Sequence, residues 1–182
     1  MNFLELAKSR QSCRAYDSVR KVEKEKIDLC LEAARLSPSA CNSQPWTFVV
    51  VDKEPLREQV AKLTYNTVLS FNKFAVQAPV MVAIIAEKPN TLSQIGGRVK
   101  DKDFYLMDIG IAAEHFCLQA AELGLGTCML GWFSEKELQK MLSLPRNKRV
   151  ALLITLGYPA ADDKLREKKR KSKNEMSKYN SY

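Results

Sequence analysis

The sequence predicts a fold of the helix-and-strand class, with one sheet of about four strands and helices on its faces. Apolar segments of strand length are interleaved with segments of helical periodicity. The 182 residues fit one domain of ordinary size, and 46% of them are hydrophobic, which is enough for a sizeable core. Neither an internal repeat nor a linker divides the chain. We therefore expect a single domain over residues 1–182 that ends in a basic tail, residues 160–182.

Periodicity and breaker residues define the predicted elements in order. The helix before Ser37-Pro38 ends there because the residue before proline avoids helical conformation. Pro55 suits the first turn of the third helix. The apolar run at 79–86 is typical of a strand that is covered on both faces. In chain order we expect helices at 2–9, 24–36, 54–64, 66–76, 103–123 and 134–142, and strands at 47–52, 79–86, 128–130 and 150–156.

Two further segments carry expectations of their own. Residues 88–102 are polar, contain Gly96-Gly97 and lack a period, which predicts a mobile loop or lid. The helix at 103–123 is apolar nearly all round, so we expect it to be buried. Burying it fully in a chain of this size is easier if a second subunit covers one side.

Residues 37–46 connect the second helix to the first strand and contain two prolines and several small polar residues. This composition predicts a rigid turn with many hydrogen-bonding groups, and Trp46 at its edge indicates that the turn is packed down. Rigid loops held against a strand commonly bind ligands. An ordinary helix-to-strand connection is the alternative.

The net charge of +8 raises the question of a nucleic-acid-binding module. The distribution of the charge argues against it, because residues 164–182 carry eight basic and two acidic residues, which leaves the body of the chain near neutral at +2. We expect the tail to leave the body of the fold after Pro159, either as a solvated segment or as a segment that reaches an anionic ligand.

The residues that could carry chemistry indicate a bound cofactor. Arg10, Ser12 and Arg14 suit a phosphate or another anionic edge. The one histidine, His115, lies in the apolar helix, where a satisfied core or interface role is commoner than catalysis. We find no metal-ligand set, no nucleophile triad and no dinucleotide glycine motif. The chain therefore relies on a cofactor for its chemistry if it is an enzyme.

Five cysteines without a CxxC pair are read as reduced thiols of a cytoplasmic protein. The N-terminus lacks the apolar stretch of a signal peptide, and no apolar run approaches the length of a membrane span.

Taken together, these motifs resemble the nitroreductase superfamily of FMN-dependent homodimeric flavoproteins. The motifs that carry the resemblance span nearly the whole chain: Arg10–Tyr16, Pro38–Trp46, Gly124–Thr127, Gly131, Leu156–Pro159 and the basic run Lys168–Lys171.

The resemblance implies an α+β fold with a mixed central sheet, in an entwined homodimer that holds FMN at the subunit interface. It implies an NADH- or NADPH-dependent oxidoreductase that passes hydride through flavin N5 in a ping-pong reaction to a nitroaromatic, a quinone or a similar small acceptor. The flavin carries the chemistry, so no catalytic side chain, metal, nucleic acid or membrane is expected. A flavin-binding protein with a specialised non-nitro role, or without turnover, is the alternative.

The resemblance also implies the cofactor-binding residues. One set would bind the flavin from its own chain, a second set would close on the phosphate, a third would reach the isoalloxazine of the partner subunit's flavin, and a fourth would lie at its pyrimidine or at N5. These sets are Arg10, Gln11, Ser12 and Arg14; Lys168 and Arg170; Pro38, Ser39, Ala40 and Asn42; and Asn72, with the backbone N–H of Leu130 or Gly131. Cys41 would fill space beside the flavin.

Overall fold

The protein is an α+β domain with one four-stranded sheet, seen in a computed structural model that describes residues 2–182. The strands are β1 (Trp46–Val51), β2 (Val80–Ala86), β3 (Gly126–Leu130) and β4 (Arg149–Gly157). The helices are α1 (Phe3–Ser9), α2 (Lys24–Arg35), α3 (Leu56–Lys62), α4 (Thr91–Lys100), α5 (Phe104–Glu122), α6 (Glu135–Met141) and α7 (Lys173–Met176), with short 3-10 helices at Ala40–Asn42 and Lys73–Gln77.

The order of the strands across the sheet is β1-β2-β4-β3, so β1 and β3 are its two edges. Each of the three strand pairs is antiparallel, which corrects the expectation of a mixed sheet. Within the described residues the parallel pairing is confined to a single bridge between Ser12 and Thr127. An apolar pattern does not predict strand direction, because a strand covered on both faces has the same composition in either direction.

Both faces of the sheet are covered, as the apolar run of β2 predicts. Alternate residues of β2 point to opposite faces. Val82 and Ile84 pack with Phe116 of α5 in one cluster, and Met81 and Ile85 join the second cluster under α3 and α6. The two clusters fix the sheet between helical layers, so the two edges cannot approach each other.

Residues 88–102 form α4 rather than the expected mobile loop. The side chain of Asn90 caps the helix, because its Oδ1 accepts the N–H of Ser93 at 2.9 Å. The helix at 66–76 is also corrected, since only Lys73–Gln77 is helical and of the 3-10 type. There Asn66 Oδ1 accepts the N–H groups of Val68 and Leu69, a local turn that competes with a helix.

The longest helix, α5, is buried on one side only. Ile109, Ala113 and Phe116 lie in the core, whereas Leu106 and Met107 are about half exposed, at 48% and 55%. A groove of about 520 Å³ runs along the open side, and it is lined mainly by apolar side chains of α1, α2 and α5: Phe3, Leu6, Ala33, Ile111 and Leu118. His115 lies in this groove with Nδ1 2.9 Å from the carbonyl oxygen of Ile111, so it is satisfied, as predicted.

No helix in the described part of the chain is long and apolar enough to cross a membrane.

Gly126 is required where the N-terminal segment crosses the edge of β3. A Cβ at this position would lie 2.6 Å from Cys13 Sγ and 3.2 Å from Pro159 Cγ. We expect Gly126→Ala to lower the free energy of unfolding by about 1–3 kcal/mol, the usual cost of overpacking, in a urea titration.

Gly96→Ala is the matched control, because a Cβ there meets only Phe104 at an ordinary 3.8 Å and α4 gains a better helix former. It should leave stability unchanged or raise it. Equal stabilities for the two variants would contradict a close contact between residue 13 and β3.

Candidate functional site

The predicted N-terminal site residues are attached to the edge strand β3. The N–H of Cys13 donates to the carbonyl of Thr127 at 2.8 Å, next to the Ser12–Thr127 bridge. Cys13 is buried and Arg14 is exposed, as expected for neighbouring residues of an extended segment. Pairing with β3 therefore places Arg10, Ser12 and Arg14 along one edge of the sheet.

The basic tail folds back onto this segment, which corrects the expectation that it leaves the body after Pro159. The side chain of Gln11 makes two bonds to the tail backbone: Nε2 donates to the carbonyl of Lys164 at 3.2 Å, and Oε1 accepts the N–H of Arg166 at 3.0 Å. Arg166 donates to the carbonyl of Ser12, and Lys168 donates to the carbonyl of Arg10. Gln11 therefore positions the tail.

Residues 10–14 and 164–170 carry seven positive side chains, and we call five of them the cationic cluster: Arg10, Arg14, Arg166, Lys168 and Arg170. Two carboxylates pair with members of the cluster. Glu114 lies 3.1 Å from Arg10 Nε, and Asp163 accepts from Arg166 Nη1 at 2.7 Å. Five cations against two carboxylates leave an excess of three positive charges.

The crowding of positive charge perturbs Lys168. Burial lowers the pKa of its ammonium group, and the charges of Arg10 and Arg170 lower the pKa further, with Glu114 acting in the opposite direction. A cationic group whose charge is disfavoured in the free protein is suited to an anionic ligand, because the ligand's negative charge removes that cost.

The backbone of the Ser37–Trp46 loop is held in an uncommon conformation. Cys41, Asn42 and Gln44 have φ angles of 52°, 49° and 47°, in the left-handed region that non-glycine residues rarely adopt. A residue in this conformation costs about 1 kcal/mol or more. Such a conformation persists only where its surroundings hold it.

Three side chains hold the loop. Asp108 of α5, which is 5% exposed, accepts the N–H of Ala40 at 3.0 Å. Ser39 Oγ accepts the N–H of Gln44 at 2.9 Å. Asn90, the cap of α4, donates to the carbonyl of Cys41 at 2.9 Å. The loop thus joins the starts of α4, α5 and β1.

Within one chain, the loop and the cationic cluster lie at opposite edges of the sheet. The loop leads into β1 at Trp46, which aligns with Ala86 and Arg149 at one end of the strands. Ser12 aligns with Thr127, at the other end of the strands beyond β3. With about 4.8 Å between strands and about 3.3 Å per strand residue, Trp46 and Ser12 are on the order of 25 Å apart.

The remaining predicted residues lie at the end of β3. Leu130 is buried, and Gly131 is exposed, with no atom within 4 Å of the place a Cβ would occupy. Asn72 is 5% exposed, and its Nδ2 donates to the carbonyls of Thr64 at 3.2 Å and Trp132 at 3.4 Å. Its amide therefore holds the turn that follows Gly131.

The structure thus brings six predicted residues together at the β3 edge: Arg10, Gln11, Ser12, Arg14, Lys168 and Arg170. Leu130 and Gly131 lie at the end of β3, and Asn72 holds the turn that follows them. The remaining four lie at the β1 edge: Pro38, Ser39, Ala40 and Asn42. Sequence reasoning missed Arg166 and Asp108. Arg166 lies in a tail whose repeated charges conceal the register. The role of Asp108 could have been predicted, because a lone carboxylate in an apolar helix needs a hydrogen-bond partner.

Comparisons with known proteins agree with these features. A family model described as "Nitroreductase family" matches residues 7–158. A putative NADH dehydrogenase/NAD(P)H nitroreductase of Archaeoglobus fulgidus is 33% identical over 161 residues, which cover 86% of this chain and 84% of the relative. Two solved structures are also similar. The nitroreductase family protein of Streptococcus pneumoniae has a TM-score of 0.82, with 26% identity over 98% of this chain and 100% of that one. An FMN-dependent nitroreductase of Clostridium difficile has a TM-score of 0.76, with 29% identity over 99% and 100%.

The five cysteines should differ sharply in reactivity. Burial raises the pKa of the Cys13, Cys30 and Cys117 thiols to about 12 and raises that of Cys128, whereas Cys41 is exposed in the loop. We expect a thiol reagent to modify one cysteine of the native protein rapidly and all five after unfolding.

Cys41→Ser is the control for this assignment, and it should abolish the fast phase while leaving the slow thiols unchanged. A second fast thiol in the native protein would show that a segment described as buried is accessible.

Proposed function

Because the chain belongs to the nitroreductase family, we propose that it is an FMN-dependent NAD(P)H oxidoreductase that reduces small acceptors such as nitroaromatics or quinones. The observation that carries the proposal is the cationic cluster at the edge of β3. It contains an excess of positive charge, it includes a lysine whose pKa is lowered by burial and by its cationic neighbours, and four of its members, Arg10, Arg14, Lys168 and Arg170, belong to the predicted flavin-binding set.

The cluster fits the phosphate of FMN. Arginine side chains present planar forks that match phosphate oxygens, and lysine adds a point charge. Arg10 and Lys168 would lie on the phosphate from opposite segments, with Arg170 beside them and Gln11 fixing the tail. Ser12 offers a hydroxyl from the same extended segment. Arg14 is exposed further along the strand edge, where it would reach the ribityl chain or pyrimidine edge.

The end of β3 fits the flavin ring. FMN supplies the hydride-transfer chemistry when it is bound. The backbone at Leu130–Gly131 would present an N–H group to the ring, where a fixed donor stabilises negative charge as it develops. The missing side chain of Gly131 leaves room for close approach, since nothing lies within 4 Å of its Cβ position. Asn72 maintains this turn through the carbonyl of Trp132.

The second half of the site comes from another copy of the chain. Residues 38–42 would contact the ring, yet the strand they lead into begins at the opposite edge and the opposite end of the sheet from Ser12, on the order of 25 Å away by strand spacing. The apolar groove along α5 supplies a surface for a second protomer. We therefore propose a homodimer in which each loop serves the partner's flavin. The thiols, unpaired in this structure, suit the predicted cytoplasmic location.

The cluster is tested by Arg10→Ala and Arg14→Ala. Losing a hydrogen bond to a charged group costs about 1.5–3 kcal/mol, so each variant should bind FMN at least about tenfold more weakly. FMN affinity is measured by quenching of flavin fluorescence. Arg146→Ala, on the exposed turn after α6, is the control of equal charge and should bind FMN normally.

Turnover separates an oxidoreductase from a flavin-binding protein without activity. The FMN-loaded protein should oxidise NADPH or NADH steadily when a quinone or a nitroaromatic acceptor is added. A protein that remains colourless after incubation with FMN would refute the proposal. A yellow protein that shows no oxidation of either donor would support the flavin-binding alternative.

A further inference from the structure

A polar groove lies beside α4, the helix that Asn90 links to the Ser37–Trp46 loop, and we call it the Tyr105 groove. It consists of two cavities of about 320 and 280 Å³ that meet at Pro89 and Tyr105. The larger lies between the C-terminal end of α4 and the start of α5, and the smaller lies between the end of β2 and the start of β4. Each is close to the size of a small ligand site.

The charges along the Tyr105 groove are only partly balanced. Of its five cations, Lys148 pairs with Glu87 and Arg149 pairs with Glu135. The other three are Lys88, Arg98 and Lys102, and none of them has an ion pair within residues 2–182. The unpaired carboxylates of the groove are Asp101 and Asp103. The groove therefore combines available cations with two acceptors around aromatic rings.

A buried hydroxyl also faces this groove without a partner. Ser93 lies in the first turn of α4, is 4% exposed and lines the larger cavity, and its Oγ has no hydrogen-bond partner. Buried polar groups in folded proteins are nearly always hydrogen-bonded. A polar ligand in the cavity that Ser93 and Arg98 line would satisfy this hydroxyl.

The Tyr105 groove adjoins the loop that we assign to the flavin. Asn90 caps α4 and donates to the carbonyl of Cys41, so it links the loop to the helix. Ser93 is three residues further along α4, and Arg98 is eight residues further, about 12 Å at the rise of an α-helix. A ligand that occupies the groove therefore extends away from the flavin region along α4.

We propose that the Tyr105 groove binds the adenosine and phosphate part of the NAD(P)H donor. The proposal rests on the proposed function, and it names the site that holds the donor outside its nicotinamide ring. Tyr105 and Phe104 offer rings for the adenine, since purines stack on aromatic faces. Arg98 and Lys102 contact phosphates, with the Ser93 hydroxyl as a further donor. Asp101 or Asp103 accepts from ribose hydroxyls.

The groove matches the donor better than the acceptor. A nitroaromatic or a quinone is a single small ring system without phosphates, so it makes no use of separated cations. A dinucleotide is long and anionic and carries a purine at one end. Two joined cavities with three unpaired cations and an aromatic ring at their junction match that combination.

The direct test is calorimetric titration of the FMN-loaded protein with 2′,5′-ADP, which contains adenine, ribose and two phosphates but no nicotinamide. We expect binding by the wild type and at least about tenfold weaker binding by Arg98→Ala, the usual effect of losing a charged hydrogen bond. Ser93→Ala, which removes a buried hydroxyl without changing charge, should also weaken binding. Lys24→Ala is the control, because Lys24 is highly exposed at the start of α2.

Steady-state kinetics give a second readout. Arg98→Ala should raise the KM for the donor by a similar factor, with kcat at saturating donor and the KM for the quinone unchanged. A wild-type protein that at millimolar concentration binds neither 2′,5′-ADP nor ADP, the corresponding part of NADH, would overturn the proposal, as would Arg98→Ala and Ser93→Ala variants that both bind the nucleotide normally.

The two proposals fail in distinguishable ways. Donor oxidation without any binding of 2′,5′-ADP or ADP would reject the Tyr105 groove and leave the oxidoreductase intact. Binding of 2′,5′-ADP that depends on Arg98, in a protein that oxidises neither NADPH nor NADH, would retain the groove and reject the proposed turnover.

Discussion

The separation imposed by the sheet is the constraint on which the whole arrangement depends. Four antiparallel strands between two helical layers form a rigid slab, with the cationic cluster beyond the β3 edge and the Ser37–Trp46 loop at the start of β1, the opposite edge. Packed interiors do not deform over such distances. In the proposed homodimer, a ligand that needs both segments takes them from different chains. The open apolar side of α5 provides a surface through which two chains would associate.

The cationic cluster and the Ser37–Trp46 loop form the two proposed halves of the flavin site. Each is held in place by contacts within the chain, and each arrangement costs free energy of folding. In the cluster, the folded-state pKa of Lys168 lies below its ordinary value of 10.5, so the charged ammonium opposes folding at any pH below the lowered pKa. This destabilisation is relieved as the pH rises through that pKa. A bound phosphate reverses its sign by favouring the charged form. In the loop, three left-handed residues are held by Asp108, Ser39 and Asn90. Such preorganisation lowers the cost of ordering the site during binding.

Much of the fold and the site could be predicted from the sequence, for physical reasons that the residues make plain. The apolar run of β2 predicts a strand buried on both faces, and the structure confirms it. The segment around Arg10 and Arg14 and the loop before Trp46 stand out because their compositions are unusual for mere connections. The direction of the strands was not predictable, because it depends on contacts between distant segments. The helix α4 was missed for another reason: Leu92, Ile95 and Val99 recur at helical spacing but are exposed, and Asn90 caps the first turn.

The roles of single residues were harder to predict than their places. Gln11 was expected at the cofactor, but its amide is occupied by the tail backbone. Asn72 was expected at the pyrimidine, but its Nδ2 joins two carbonyls of the scaffold. In both cases the side chain stands beside the proposed site and shapes it. Hydrogen-bond partners across 60 or 150 residues are decided by the folded chain, which a local pattern does not contain.

The sharing of one site between two chains can be measured directly with mixed dimers. One chain carries Arg10→Ala and Arg14→Ala, and the other carries Ala40→Trp, which places a bulky side chain in the loop. If each flavin site combines the cluster of one chain with the loop of the other, both homodimers bind FMN poorly. The mixed dimer, purified through two different tags, then has one intact site and recovers half of the wild-type flavin content. A mixed dimer that binds as little FMN as either homodimer would show that both halves come from the same chain, and it would contradict this account.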